Sequence, residues 1–122
     1  MTDLLHVPDE RPLSQEEISL LNWLLAHGRS DASQYRAQIS KLRVVSKCGC
    51  GCPTIDFAIG TTLKDGPSQI IADAQGNSPE GVRVGVIVHV RQGEVSELEV
   101  YSAYGESNFT LPKPESLVPF SD

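Results

Sequence analysis

No apolar run in this chain exceeds a few residues, which excludes a transmembrane helix, since crossing a bilayer takes about 20. Blocks of basic residues are missing too. Its 10 Lys and Arg are scattered among 16 Asp and Glu, for a net charge of −6. A field of that sign repels phosphate backbones and disfavours nucleic acid as a partner. The first ten residues lack the basic start and apolar core of a signal peptide. There is no Gly-x-Ser-x-Gly elbow, no phosphate-binding glycine loop and no His-Glu-x-x-His pair. Cysteine is absent outside residues 48–52, and three thiols cannot pair off among themselves. A secreted disulfide framework is thereby disfavoured. The expectation is a cytoplasmic protein with reduced thiols and no membrane partner.

What is present fits one globular domain spanning residues 1–122: 39% hydrophobic and 21% charged residues, long enough for a single core. Residues 1–12 read as an N-terminal arm, with Pro8 and Pro12 blocking a helix. Two helices follow within residues 13–43. Ser14 and Glu17 form a capping box, and Leu13 with Ile18 suits a hydrophobic staple. Ile18, Leu21, Trp23, Leu24 and Leu25 make an apolar stripe. Gly28 is expected to end the helix in the left-handed conformation, with His27 in its last turn. Ala32, Tyr35, Ile39 and Leu42 predict a second helix over about residues 32–42.

From Val44 the period changes to two. Ile55, Phe57 and Ile59 alternate with Thr54, Asp56 and Ala58. A shorter strand covers Ile70 to Ala74, and Val82, Val84, Val86, Val88 and Val90 form one face of a third. Residues 95–104 return as its hairpin partner. The expected fold class is therefore α+β, an N-terminal two-helix hairpin packed on a four-stranded antiparallel meander over residues 44–105. Residues 106–122 read as a Pro-rich tail, docked by Leu117, Val118 and Phe120.

The densest chemistry is Cys48-Gly49-Cys50-Gly51-Cys52-Pro53. Strand cysteines two apart point to one side about 6.6 Å apart, and the glycines permit the fold-back that brings a third sulfur in. Zinc asks for four ligands, so the set is one short. His89 is the best internal fourth ligand, and Asp56 is another. Close thiolates also suit Cu(I), which accepts fewer ligands. The competing reading treats the cysteines as small hydrophobes, with glycines serving a bulge or bend and Pro53 closing the ladder. A redox pair needs the β-carbons at about 3.8 Å and a lowered thiol pKa. A preceding helix C-terminus, expected here, has the wrong dipole for that.

Nucleophilic catalysis by cysteine would need a histidine partner. His6 falls in the arm and His27 has a capping role, which leaves His89. Glu94, Glu97 and Glu99 gather on the last hairpin near Arg83 and Arg91. Cross-strand ion pairing explains them, and a face recognising a basic protein is the alternative.

Three segments carry a resemblance: residues 11–17 with 23–28, the Cys-Gly-Cys-Gly-Cys-Pro-Thr-Ile-Asp motif at 48–56, and residues 93–101. Together they are similar to a family of small uncharacterised bacterial proteins of about this length, and the resemblance implies no activity. In size and acidity the chain also resembles immunity proteins of bacterial toxin systems. Two functional readings follow. The first is a non-enzymatic cytoplasmic domain working through protein contacts, including a homodimer through the sheet face or edge, with or without a structural metal. The second is a metal-binding (zinc or Cu(I)) or thiol-redox protein centred on Cys48, Cys50 and Cys52.

Overall fold

The fold comes from a computed structural model in which residues 6–60, 62–106 and 108–120 are described. Its sheet has seven strands, not four. They are β1 (His6–Pro12), β2 (Leu42–Cys48), β3 (Ile55–Ile59), β4 (Gln69–Asn77), β5 (Arg83–Arg91), β6 (Glu94–Ser102) and β7 (Val118–Pro119). Their order is β1-β2-β3-β6-β5-β4-β7, with every neighbouring pair antiparallel. The expected meander is overturned because β3 pairs with β6 rather than with β4.

The expected arm is also corrected from His6 onward; residues 1–5 lie outside the described set. β1 pairs with β2 at the sheet's edge, where a proline's missing N–H costs the ladder nothing. The Pro-rich tail likewise forms a short 3-10 turn (Pro114–Ser116) and then β7. Phe109 and Leu117 enter the core, whereas Val118 and Phe120 stay exposed. Thr110 pins the tail by donating from its N–H and hydroxyl to Glu80, whose carboxyl those bonds push down to about 2.

Helix α1 (Gln15–Ala26) starts on the capping box read from the sequence. Its N-terminus is tied to β1, since Arg11 donates to both oxygens of Glu17 at 2.9 and 2.8 Å. Burial raises the Glu17 carboxyl, but the Arg11 guanidinium and Ser14 together hold it below its usual value. A lowered folded pKa means this stabilisation is complete above the unfolded value and is lost as pH falls through the folded one. Accordingly, Glu17→Gln should flatten the acid limb of a stability–pH curve below pH 4.5, the ordinary glutamate value. A limb identical to the parent's would refute that assignment.

Leu20, Leu21, Leu24 and Leu25 of α1 are buried in one cluster with Val84, Val86, Val88 and Val90 of β5 and Val44, Phe57 and Leu98 of the adjoining strands. Gly28 is not left-handed. It is a glycine because a Cβ there would stand 2.6 Å from the Ile71 carbonyl oxygen and 2.7 Å from the Ala72 Cβ. With backbone on the other side of the contact, Gly28→Ala should cost about 1–3 kcal/mol in urea unfolding. An unchanged midpoint would contradict the close docking. The second expected helix is a 3-10 helix, Ala32–Lys41, whose Asp31 makes no side-chain cap; Leu42 instead opens β2 opposite Ile59. Gln38 clamps this helix to the β5–β6 turn through Gly93 O and Val95 N, at 2.8 and 2.9 Å.

Four ladders carry a register shift, between Pro8 and Arg11 in β1, at Val45 in β2, at Ile71 in β4 and at Ser96 in β6, each placing one extra residue against its partner strand. Such a bulge moves the side chains beyond it to the other face. Ser46 thus joins Asp56, and Glu97 joins His89, on the sheet face turned away from α1.

Candidate metal centre

Cys48 ends β2, and its N–H donates to Thr54 O at 3.1 Å, the last rung before the chain turns. The turn is tight: Gly51 N donates to Cys48 O at 3.4 Å. Gly51 adopts φ +94° with open space around its α-carbon, so glycine is there for conformation rather than for room. The return strand is fixed by the Thr54 hydroxyl, which donates to Val100 O at 3.0 Å and accepts from Val100 N at 2.9 Å. The loop therefore stands on a rigid base.

Within it the sulfurs converge. Cys48 Sγ and Cys50 Sγ are 2.7 Å apart, and all three sulfurs lie within 4.8 Å of one another. The thiols are free, and the spacing exceeds the roughly 2.05 Å of a disulfide bond. Backbone N–H groups point inward as well, from Cys50 to Cys48 Sγ at 3.5 Å and from Cys52 to Cys50 Sγ at 3.4 Å.

This arrangement splits the thiols electrostatically. The hydrogen bond from Cys48, with the Cys52 N–H, holds the Cys50 thiol below its usual pKa. Burial, then donation to Cys50, pushes Cys48 up to about 12. Cys50 is also the exposed member of the three. It should therefore react first and alone with limiting iodoacetamide at neutral pH, a result read by peptide mass mapping. Equal labelling of all three cysteines would contradict the shared-proton arrangement.

The expected helix C-terminus before the cluster is a strand, so no helix dipole bears on it. Cys52 packs partly against the core. The packing reading accordingly holds for part of one cysteine and does not account for the convergence of three.

His89 does not join them. β3 and β6 lie between its strand and β2, and three strand spacings of about 4.8 Å put it roughly 14 Å away. It sits instead with Glu97 and Glu99, donor atoms again within 4.8 Å. Asp56 is buried and accepts from Ser46 Oγ at 2.5 Å, opposite Glu97 in the ladder. Burial, with Asp56 and Glu99 nearby, raises the Glu97 carboxyl against the pull of His89. Sequence reading gathered Glu94, Glu97 and Glu99 on the last hairpin but offered His89 and Asp56 to the cysteines, because nothing in the periodicity shows that β3 pairs with β6.

His27 keeps its helix-end place, its ring stacked on Trp23 at 4.1 Å with Nδ1 2.8 Å from the Trp23 carbonyl. Nothing is described of the His6 side chain. Among the described residues no helix is long and apolar enough to cross a membrane. No family model, curated protein or solved structure matches the chain.

Proposed function

We propose that this chain is a metal-binding protein whose site is the trio Cys48, Cys50 and Cys52, and that the ion is Cu(I). One observation carries the reading: three sulfurs converge on a rigid hairpin end, and among the described residues no fourth donor completes the group. A disulfide would use only two of them. Soft thiolate ligands select Cu(I) and zinc. Structural zinc sites are four-coordinate, whereas Cu(I) is satisfied by three sulfurs. Bound copper would supply a soft, thiolate-held centre. The chain's part is to deprotonate readily at Cys50, release the Cys48 proton on binding, and shield one side with half-buried Cys52. Exposure of Cys50 leaves the ion open to exchange with another thiol carrier.

Anaerobic titration with Cu(I) against a coloured chelator of known affinity tests this. One copper per chain, with all three thiols protected from alkylation, is the expected result. Copper left entirely on the chelator would refute the reading.

A second reading, docking of a protein partner or a second copy, is supported by Val118 and Phe120, 56% and 40% exposed at the β7 edge. Light scattering behind size exclusion tests it in its dimer form. A dimer lost in Val118→Asp supports it, and a monomer at every concentration counts against it.

A further inference from the structure

We propose that Cys48 and Cys50 are a reversible disulfide pair, closed by exchange with a low-molecular-weight disulfide such as oxidised glutathione, and that closure empties the copper site. The pair stands on its own geometry. Its effect on copper rests on Cu(I) ligation by the trio.

The backbone already has the shape the bond needs. Donation from Gly51 N to Cys48 O makes residues 48–51 a β-turn. α-Carbons two residues apart are about 6.6 Å apart in extended chain. The turn brings those of Cys48 and Cys50 closer, inside the roughly 4.4–6.8 Å that a disulfide spans. Their sulfurs stand 2.7 Å apart, so a shift of roughly 0.7 Å completes a bond of about 2.05 Å. Cys48 is held from below by its rung to Thr54 O, which leaves the closing motion to Cys50 and its two flanking glycines.

Exposure assigns the roles. Cys50 is the exposed cysteine, and a Cβ at Gly51 would meet nothing within 4 Å, so an incoming disulfide finds that flank open. Cys50 is therefore the attacking thiol. Cys48 resolves the mixed disulfide because its sulfur is already at hand. Cys52 packs partly against the core and reaches Cys50 Sγ with its backbone N–H, at 3.4 Å.

Exchange then runs in two displacements. The Cys50 sulfur attacks one sulfur of the small disulfide. A Cys50–glutathione bond forms, the glutathione S–S bond breaks and one glutathione thiolate leaves. The Cys48 sulfur next attacks the Cys50 sulfur, forming the internal bond and expelling the second glutathione thiolate. The protons of the two protein thiols pass through solvent to the two leaving thiolates. Two protein thiols are oxidised, and one small disulfide is reduced to two thiols. The second displacement is intramolecular between groups in place, so the mixed disulfide is short-lived. A bond closing so short a loop adds little to chain stability, and exposed disulfides are the labile ones, so excess thiol reopens it. Closure leaves Cys52 as the sole thiolate of a site whose ion is selected by several soft sulfurs.

The test uses metal-free full chain and oxidised glutathione at neutral pH, followed by iodoacetamide and tandem mass spectrometry of the peptide holding the three cysteines. In the parent, Cys48 and Cys50 should be linked and Cys52 alone alkylated, with all three alkylated after excess dithiothreitol. Cys48→Ser should stop at a glutathione adduct on Cys50. Cys52→Ser should close as the parent does. No reaction, a lasting adduct in the parent, a bond that uses Cys52, or a bond that excess dithiothreitol leaves intact would each overturn the pair. Copper is read separately, by chelator competition on the closed and reduced chains. Copper held by the reduced chain and lost from the closed one is the expected result. Equal retention by both would overturn the gating, whereas no retention by the reduced chain would refute the Cu(I) reading and leave the disulfide pair standing.

Discussion

Cys50→Ser should lower Cu(I) affinity by roughly 100-fold or more, above the 10- to 100-fold that loss of a mere second-shell partner costs a metal site. Cys50 is central to the trio. It accepts from Cys48 and from the Cys52 N–H, and it is the thiol held lowest. Removing it leaves Cys48 with its high pKa and Cys52 turned partly into the core. Cys48→Ser and Cys52→Ser should each fall by a similar factor, because three-sulfur ligation has no spare donor. Competition with the same chelator reads all three. Any single variant that keeps the parent's affinity would reduce the site to two sulfurs.

The largest stability effect is expected from Phe57→Ala, about 3–5 kcal/mol. Phe57 is fully buried in the core cluster. It also lies on the strand that joins the two halves of the sheet, β1-β2-β3 and β6-β5-β4-β7. That seam is narrow: among the described residues only Ile55↔Leu98 and Asp56↔Glu97 pair across it. Side-chain packing must therefore supply what the short ladder does not. Against a typical total of about 5–15 kcal/mol, the loss is a large fraction. In urea the midpoint should drop by about 1 M or more. A loss under about 1.5 kcal/mol would mean that the seam does not depend on Phe57.

Much of the local structure was legible because it is written in short-range chemistry. Ser14 and Glu17 announce the start of α1, and the valines at 84, 86, 88 and 90 announce a core-facing strand. Strand order was not legible. The return of β6 to pair with β3 depends on long-range packing, and nothing in residues 60–68 says that the chain leaves β3 without pairing its successor. Pro8 and Pro12 were misleading for a physical reason, since they forbid a helix but not an edge strand. The cysteine trio could be found from spacing alone. Its supposed fourth member could not, because His89 shares a sheet face with residues whose distance is set by two intervening strands. The bulges at Val45 and Ser96 decide which polar groups meet around Asp56 and Glu97. A period-two reading cannot see an inserted residue.

X-ray absorption at the copper edge of the Cu(I)-loaded full chain distinguishes three-sulfur ligation from any other first shell. A first shell of three sulfurs and no nitrogen is expected, collapsing to fewer sulfurs in Cys52→Ser. A shell containing imidazole nitrogen, or a chain that retains no copper to measure, would contradict it.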